Sequence, residues 1–404
     1  MCQAEEVPRF SPFRALRYAA PVLDDLIAPP YDVLSEADVD ELAARHEHNI
    51  VHVDVPRERD GSERYVQAAT RLSSWMDEGV LVPDSEPSFT IYRMRFRDEI
   101  GNERSIVGAV GGLEVTDESA GGVLPHERVT PKASTDRLDL TRATRANLSP
   151  VWGLALAPGL TSLLGQPGEP VGSVKVDGVE HSVERVTDAE RLRAISDVVA
   201  GDDVLMADGH HRYGVARQFR DEVRTNTGRT DTPAEETLAF VSELIADQLN
   251  VQPIHRLYAG VSEADLVGAL SREFDLVEAG AADSGFVDTV TAEPRLSLVT
   301  RDGAAWWLQP RPGAFAGMRA LDGLWLEHAL DSLSPDIRYQ HGAALAVEAV
   351  RSGAATAAVL TRAVTIDEIA LTAREHLLMP PKSTFFTPKL RTGFVLRPLT
   401  EDRT

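Results

Sequence analysis

The stretch Val204-Leu-Met-Ala-Asp-Gly-His-His-Arg-Tyr213 constrains this chain more than any other. Its apolar run, Val204 to Ala207, predicts a short buried strand. Asp208 and Gly209 end that strand. Tyr213, Ala216, Phe219 and Val223 then recur at threes and fours, which predicts an amphipathic helix. His210, His211 and Arg212 therefore fall at a helix N-terminus. Free backbone N–H groups and the positive end of the helix dipole favour an anion there, and a guanidinium fork matches phosphate oxygens. The competing reading is structural: the histidines cover the helix end while Asp208 bonds local amides.

The cations point the same way. Of 41 basic residues only Lys132, Lys175, Lys382 and Lys389 are lysine, and all but Lys175 follow a proline. Proline restrains the backbone ahead of a compact ammonium, a combination suited to charge on a transferred phosphoryl group. Ordinary Pro-rich turns are the alternative. Around Lys132, the run His126-Glu-Arg-Val-Thr-Pro-Lys-Ala-Ser-Thr-Asp-Arg137 packs several phosphate-competent groups into a dozen positions. Glu127 in it suits a metal or a reacting hydroxyl; a surface ion pair with Arg128 is the plainer account. Asn147 and Ser149 either bond substrate or cap a turn. Lys382-Ser383-Thr384 beside Phe385-Phe386 offers an ammonium, hydroxyls and an apolar wall, or else a docking anchor for the tail.

A net charge of −22 repels polyanions, so any anion site must be local and nucleic acid is not an expected partner. No apolar run approaches a membrane span, and the N-terminus lacks a basic region followed by an apolar one, so the expected location is cytoplasmic. The single cysteine, Cys2, excludes an internal disulfide or a thiolate metal cluster. Walker A, Gly-x-Gly-x-x-Gly, nucleophile-elbow and His-Glu-x-x-His patterns are absent. His46-Glu-His48 places its imidazoles two apart, which reads as solvated histidines. His255-Arg256 reads as a polar strand end.

Element spacing predicts a mixed α/β chain in three parts: 1–120, 121–260 with the 204–213 turn, and 261–404 with the Pro-Lys tail. Ser35 reads as the N-cap of a helix to about Arg45, and 64–79 as a second helix. Residues 49–55 alternate like a strand, 89–96 and 105–115 form a strand pair, and 234–249 reads as a helix.

In order along the chain, Ile27-Ala-Pro-Pro-Tyr-Asp-Val33, Pro125-His-Glu-Arg128, Pro131-Lys-x-x-x-Asp-Arg137, Asn147-x-Ser-Pro150, Ala207-Asp-Gly-His-His-Arg-Tyr213 and Met379-Pro-Pro-Lys-Ser-Thr-Phe-Phe-x-Pro-Lys389 resemble the family known as domain of unknown function 1015. The middle region also resembles the ParB/sulfiredoxin-like superfamily, whose members carry a phosphate-binding Gly-x-[His/Arg]-Arg turn. That resemblance implies a central ParB/sulfiredoxin-like domain with N- and C-terminal α/β additions. His210 stands where sulfiredoxins have their reactive cysteine, which excludes sulfinic acid repair. The Asp-Gly-His-His-Arg turn is most similar to that of free serine kinases, which phosphorylate L-serine from a nucleotide or pyrophosphate.

Carried across residue by residue, the resemblance implies Asp208 as the base for the acceptor hydroxyl. It implies Gly209, His210, His211 and Arg212 as holders of donor phosphates, and Glu127 as a catalytic carboxylate. Lys132, Arg137, Lys382 and Lys389 become candidates for offsetting phosphoryl charge, and His126, Asn147, Ser149, Ser383 and Thr384 for contacting substrate. The expected chemistry is transfer from ATP, ADP or pyrophosphate, with Mg²⁺, to the hydroxyl of a small metabolite such as free L-serine. The alternatives are a nucleotide- or phosphate-binding regulator without chemistry and a nucleotide hydrolase. Oligomeric state stays open.

Overall fold

The computed structural model describes residues 7–20, 22–57, 61, 63–117, 120–127 and 134–400, without the side chains of Ser134 and Thr135. The larger of two main sheets has nine strands. From one edge they run Val123–Pro125, Val204–Asp208, Val151–Ala155, Glu236–Glu243, Glu103–Glu114, Phe89–Arg97, Val179–Val186 and Glu169–Val176. Past residue 110, Phe10–Ser11 takes over from Phe89–Arg97 as the neighbour of Glu103–Glu114. Val123–Pro125 runs parallel to Val204–Asp208, and Val151–Ala155 parallel to Glu236–Glu243; the other pairs are antiparallel. Strands on both sides of residue 120 share this sheet.

The strand Glu236–Glu243 replaces the helix expected over 234–249. Its Glu, Ala and Leu content favours a helix locally. Between two other strands, however, its run Leu238 to Val241 is buried on both faces, and Trp152 Nε1 donates to Ser242 Oγ at 3.0 Å. A centrally buried strand needs a continuous apolar run rather than alternation, so period alone misreads it. The strand expected over 49–55 is corrected the other way, to a helical turn at Val51–Asp54. Asn49 Oδ1 accepts from Val51 N at 3.0 Å, and this local bond outweighs β-branched propensity. The helix Glu36–Arg45 forms as expected, with a reciprocal capping box between Ser35 and Asp38.

The second sheet has six antiparallel strands, in the order Phe274–Ala281, Ala304–Pro310, Ser297–Val299, Ala357–Leu360, Ile254–Ala259, Asp336–His341. From it the chain returns to the first unit. Met379 N donates to the His126 carbonyl at 2.8 Å, Phe385–Phe386 pairs with Val251–Gln252, and Arg397–Pro398 pairs with Ala146–Asn147. Met379, Phe386, Leu390, Phe394 and Leu396 are buried in the same core as Ile50, Leu72 and Trp75. Apolar burial on this scale anchors the returning segment. It carries Lys382 and Lys389 to the end of the strand Val204–Asp208. No helix among the described residues is long and apolar enough to cross a membrane.

Candidate functional site

At Asp208 the strand ends on a register shift opposite Trp152, and the helix His210–Thr227 begins two residues later. Gly209 makes that junction with φ of 87°. A Cβ there would stand 3.1 Å from both the Val151 Cα and the Arg212 Cζ. Left-handed backbone and close approach together demand glycine. Gly209→Ala is expected to destabilise the fold by roughly 2 kcal/mol, summing the left-handed penalty and the displaced neighbours. Urea unfolding measures it; an unchanged midpoint would remove the requirement. Among the described residues no side chain caps the first turn, and no acidic residue lies in it, so its N–H groups face the cavity without a side-chain cap.

The turn opens into a cavity of about 180 Å³. Glu127, Asp208, Gly209, His210, His211, Arg212, Lys382, Thr384 and Lys389 all line it, so groups separated by most of the chain's length converge there. Tyr31, Asp32 and Phe385 also line it. His126 and Ser383 stand behind this surface. His126 is fully buried; its Nδ1–H donates to the Met206 carbonyl, which leaves Nε2 to accept from Thr384 Oγ at 2.7 Å. Ser383 N donates to Glu127 Oε2 at 3.1 Å, while its hydroxyl donates to the Pro380 carbonyl at 2.8 Å. The Ser383 N–H thus holds Glu127, and the hydroxyls of Ser383 and Thr384 are both engaged within the protein.

Arg137, Asn147 and Ser149 lie apart, around a smaller cavity of about 50 Å³ that shares only Arg212 with the first. Arg137 donates to the Asp54 carbonyl at 2.6 Å and stacks 4.1 Å from the centre of the Tyr31 ring. The Asn147 carboxamide oxygen accepts from Leu238 N at 3.1 Å. Lys132 lies outside the described residues.

Asp208 is held between two cations. Lys389 Nζ donates to one carboxylate oxygen at 2.9 Å and Arg212 Nη2 to the other at 2.9 Å. Burial by itself would raise this carboxyl, but Lys389 and Arg212 overcome it and keep it far below the usual carboxylate range. Arg212 spends its remaining Nη on the Pro150 carbonyl, so its fork faces protein, not open space. Lys389 also rests 4.4 Å from the centre of the Phe385 ring. Lys382 has no ion pair among the described residues and takes a left-handed φ of 56°, uncommon for a residue with a Cβ. Burial pushes the His210 imidazole down to about 3, so it is neutral at pH 7; its Nε2 is buried without a partner among the described residues.

Asp32 and Tyr31 are the wall residues that sequence reasoning passed over. Their signal was the Pro29-Pro30 pair, which dictates a stiff approach to a short helical turn at Tyr31–Val33. Among the described residues no group of three His, Cys, Asp or Glu side chains could hold a metal alone. Mg²⁺ needs only one or two carboxylates when phosphates supply the rest. Glu127 and Asp32 fit that demand, since Asp208 is already paired.

The fold and this cavity define a mixed α/β protein with a cation-lined cleft at a helix N-terminus. The sequence profile of the family described as "Protein of unknown function (DUF1015)" matches residues 10–329, and the chain belongs to that family. A comparison with curated proteins finds no match. Among solved structures, the chain is similar to a free serine kinase in complex with AMP, at 12% identity and TM-score 0.36, over 67% of this chain and 88% of that one. It is similar to a conserved hypothetical protein from Pyrococcus furiosus at 12% identity and TM-score 0.37, over 69% and 94%. For SbnI with C-terminal truncation from Staphylococcus aureus the figures are 10%, 0.40, 73% and 90%.

Proposed function

We propose that this protein is a phosphotransferase that moves a phosphoryl group from ATP, ADP or pyrophosphate to the hydroxyl of a small metabolite, with free L-serine as the first acceptor to test. One observation carries the reading: the first turn at His210, Lys382, which has no ion pair among the described residues, and two carboxylates, Glu127 and Asp208, share a single cavity. Phosphates of the donor meet the helix N–H groups and Lys382. Neutral His210, with His211 beside it, serves there as a hydrogen-bond donor rather than as a charge. The acceptor hydroxyl lies against Asp208, its oxygen forms the new bond to phosphorus as the donor's bridging P–O bond breaks, and its proton passes to the Asp208 carboxylate. A carboxylate of such low basicity takes that proton late, which suits a loose transition state governed by positioning and electrostatics. Mg²⁺, held by Glu127 and Asp32, would neutralise phosphate charge. The central region is read as ParB/sulfiredoxin-like on the strength of the Gly209–Arg212 turn.

A second reading, a phosphate-ligand sensor without chemistry, is favoured by the occupancy of both Asp208 oxygens by Lys389 and Arg212. The deciding assay offers L-serine and Mg²⁺ with ATP, ADP or pyrophosphate in turn and detects phosphoserine directly. Phosphoserine with one donor is the expected result. Saturable donor binding without any acceptor-dependent product would support the sensor, and phosphate release indifferent to serine would indicate a hydrolase.

A further inference from the structure

The second sheet carries a cavity of its own, about 420 Å³, between the strands Ile254–Ala259 and Asp336–His341 and the helix Asp322–Ala329. Its walls are Tyr258, Leu326, Leu330, Ile337 and Tyr339. Arg256 lines it from within, only 6% exposed. This arginine forms no ion pair with a carboxylate among the described residues. Instead Nη1 donates to the Ile254 carbonyl at 2.7 Å and the Lys382 carbonyl at 3.0 Å, Nη2 reaches the Pro381 carbonyl at 3.4 Å, and the guanidinium lies 4.6 Å from the centre of the Tyr339 ring. Buried guanidinium groups ordinarily find a carboxylate or phosphate, because carbonyl dipoles repay only part of the lost hydration. Burial accordingly pulls Arg256 below its ordinary value. At the open side of the same cavity stand two exposed carboxylates four residues apart, Glu327 and Asp331.

We propose that this cavity is a binding site for an amino acid with an apolar or aromatic side chain: carboxylate on Arg256, side chain among Tyr258, Leu326 and Leu330, ammonium toward Glu327 and Asp331. A buried cation, apolar walls and an acidic rim match the three parts of such a zwitterion in order of depth. The site is independent of the chemistry proposed for the first cavity. It nevertheless touches that cavity through the chain, since Pro381 lines both and Lys382 follows it. A ligand carboxylate competes for the Nη2 donor with the Pro381 carbonyl, the most distant of the three carbonyls.

The test is calorimetric titration of the full chain, without nucleotide, using L-phenylalanine, 2-phenylethylamine, which lacks the carboxylate, and N-acetyl-L-phenylalanine, which lacks the ammonium. Saturable binding of L-phenylalanine is expected, with no saturable binding of the amine and weakened binding of the acetylated acid. Arg256→Gln should weaken L-phenylalanine at least about tenfold, the consequence of losing one charge-assisted contact. Because Arg256 is buried, the exposed pair Glu327→Gln with Asp331→Asn provides a second variant whose folding is checked by urea unfolding, expected to weaken L-phenylalanine but not the acetylated acid. Absence of saturable heat with L-phenylalanine, or equal binding of the amine, overturns the proposal. None of these outcomes bears on phosphoserine formation.

Discussion

Asp208→Asn is expected to lower phosphoryl transfer by at least about 100-fold while leaving donor affinity within about threefold, the signature of a group that acts on the acceptor. The substitution keeps the shape of the side chain and removes the charge that Lys389 and Arg212 share at 2.9 Å each. Both cations then sit beside the donor phosphates with one negative charge fewer between them, so donor binding has no electrostatic reason to fall. A structural cost accompanies this. Two partly buried cations lose their counter-ion, worth roughly 2 kcal/mol given that the Asp208 side chain keeps 24% exposure. Titrating donor binding and single-turnover transfer on the same folded variant separates the effects. Loss of both in equal measure would show that Asp208 is an anchor for Lys389 and Arg212 and not the group that meets the hydroxyl.

Acidification from pH 7 to pH 5 is expected to remove roughly 5 kcal/mol of folding stability, well before ordinary carboxylates protonate. Three deeply buried histidines contribute most, and His52 and His341, also held down by burial, add in the same sense. Burial pushes His181 down to about 3, His210 to about 3 and His255 to about 4. Each takes up a proton near 6.5 once unfolded, so between there and the folded value acid favours the unfolded chain and stability falls as pH drops. His255 shows why protonation is resisted. Its Nδ1 accepts from Thr361 N at 3.2 Å, and a proton on that nitrogen would break the bond. Asp54 and Asp322 work in the opposite sense, because burial raises both, and they return part of the loss on acidification. Urea unfolding across pH 7 to 5 measures the slope. His255→Gln, which retains an acceptor for Thr361, should flatten it by about one third. A level profile over this range would contradict the assignment of buried neutral histidines.

How far the sequence alone reaches depends on the distance over which each feature is decided. The strand Val204–Asp208, the turn at Gly209 and the helix His210–Thr227 were legible because apolar runs, a glycine and a three-to-four periodicity act within a few residues. The helix at Glu36–Arg45 was legible for the same reason, through its capping box. At Glu236–Glu243 the local preference was helical and lost to burial between two strands. The phosphate-competent groups were visible as residue types, but their sorting was not. Arg137 and Lys389 looked alike on paper; one is spent on Asp54, the other on Asp208.

By itself, then, the sequence determined a mixed α/β chain, an anion-suited turn at 208–212 and a short set of proline-linked lysines. Only the tertiary structure decided that Lys389, 181 residues from Asp208, closes one side of that turn, that Arg212 bonds inward, and that Lys382 stands before the cavity with no ion pair among the described residues. The physical reason is that backbone propensities act over a few bonds, whereas ion pairing and burial depend on which distant segments a shared core draws together.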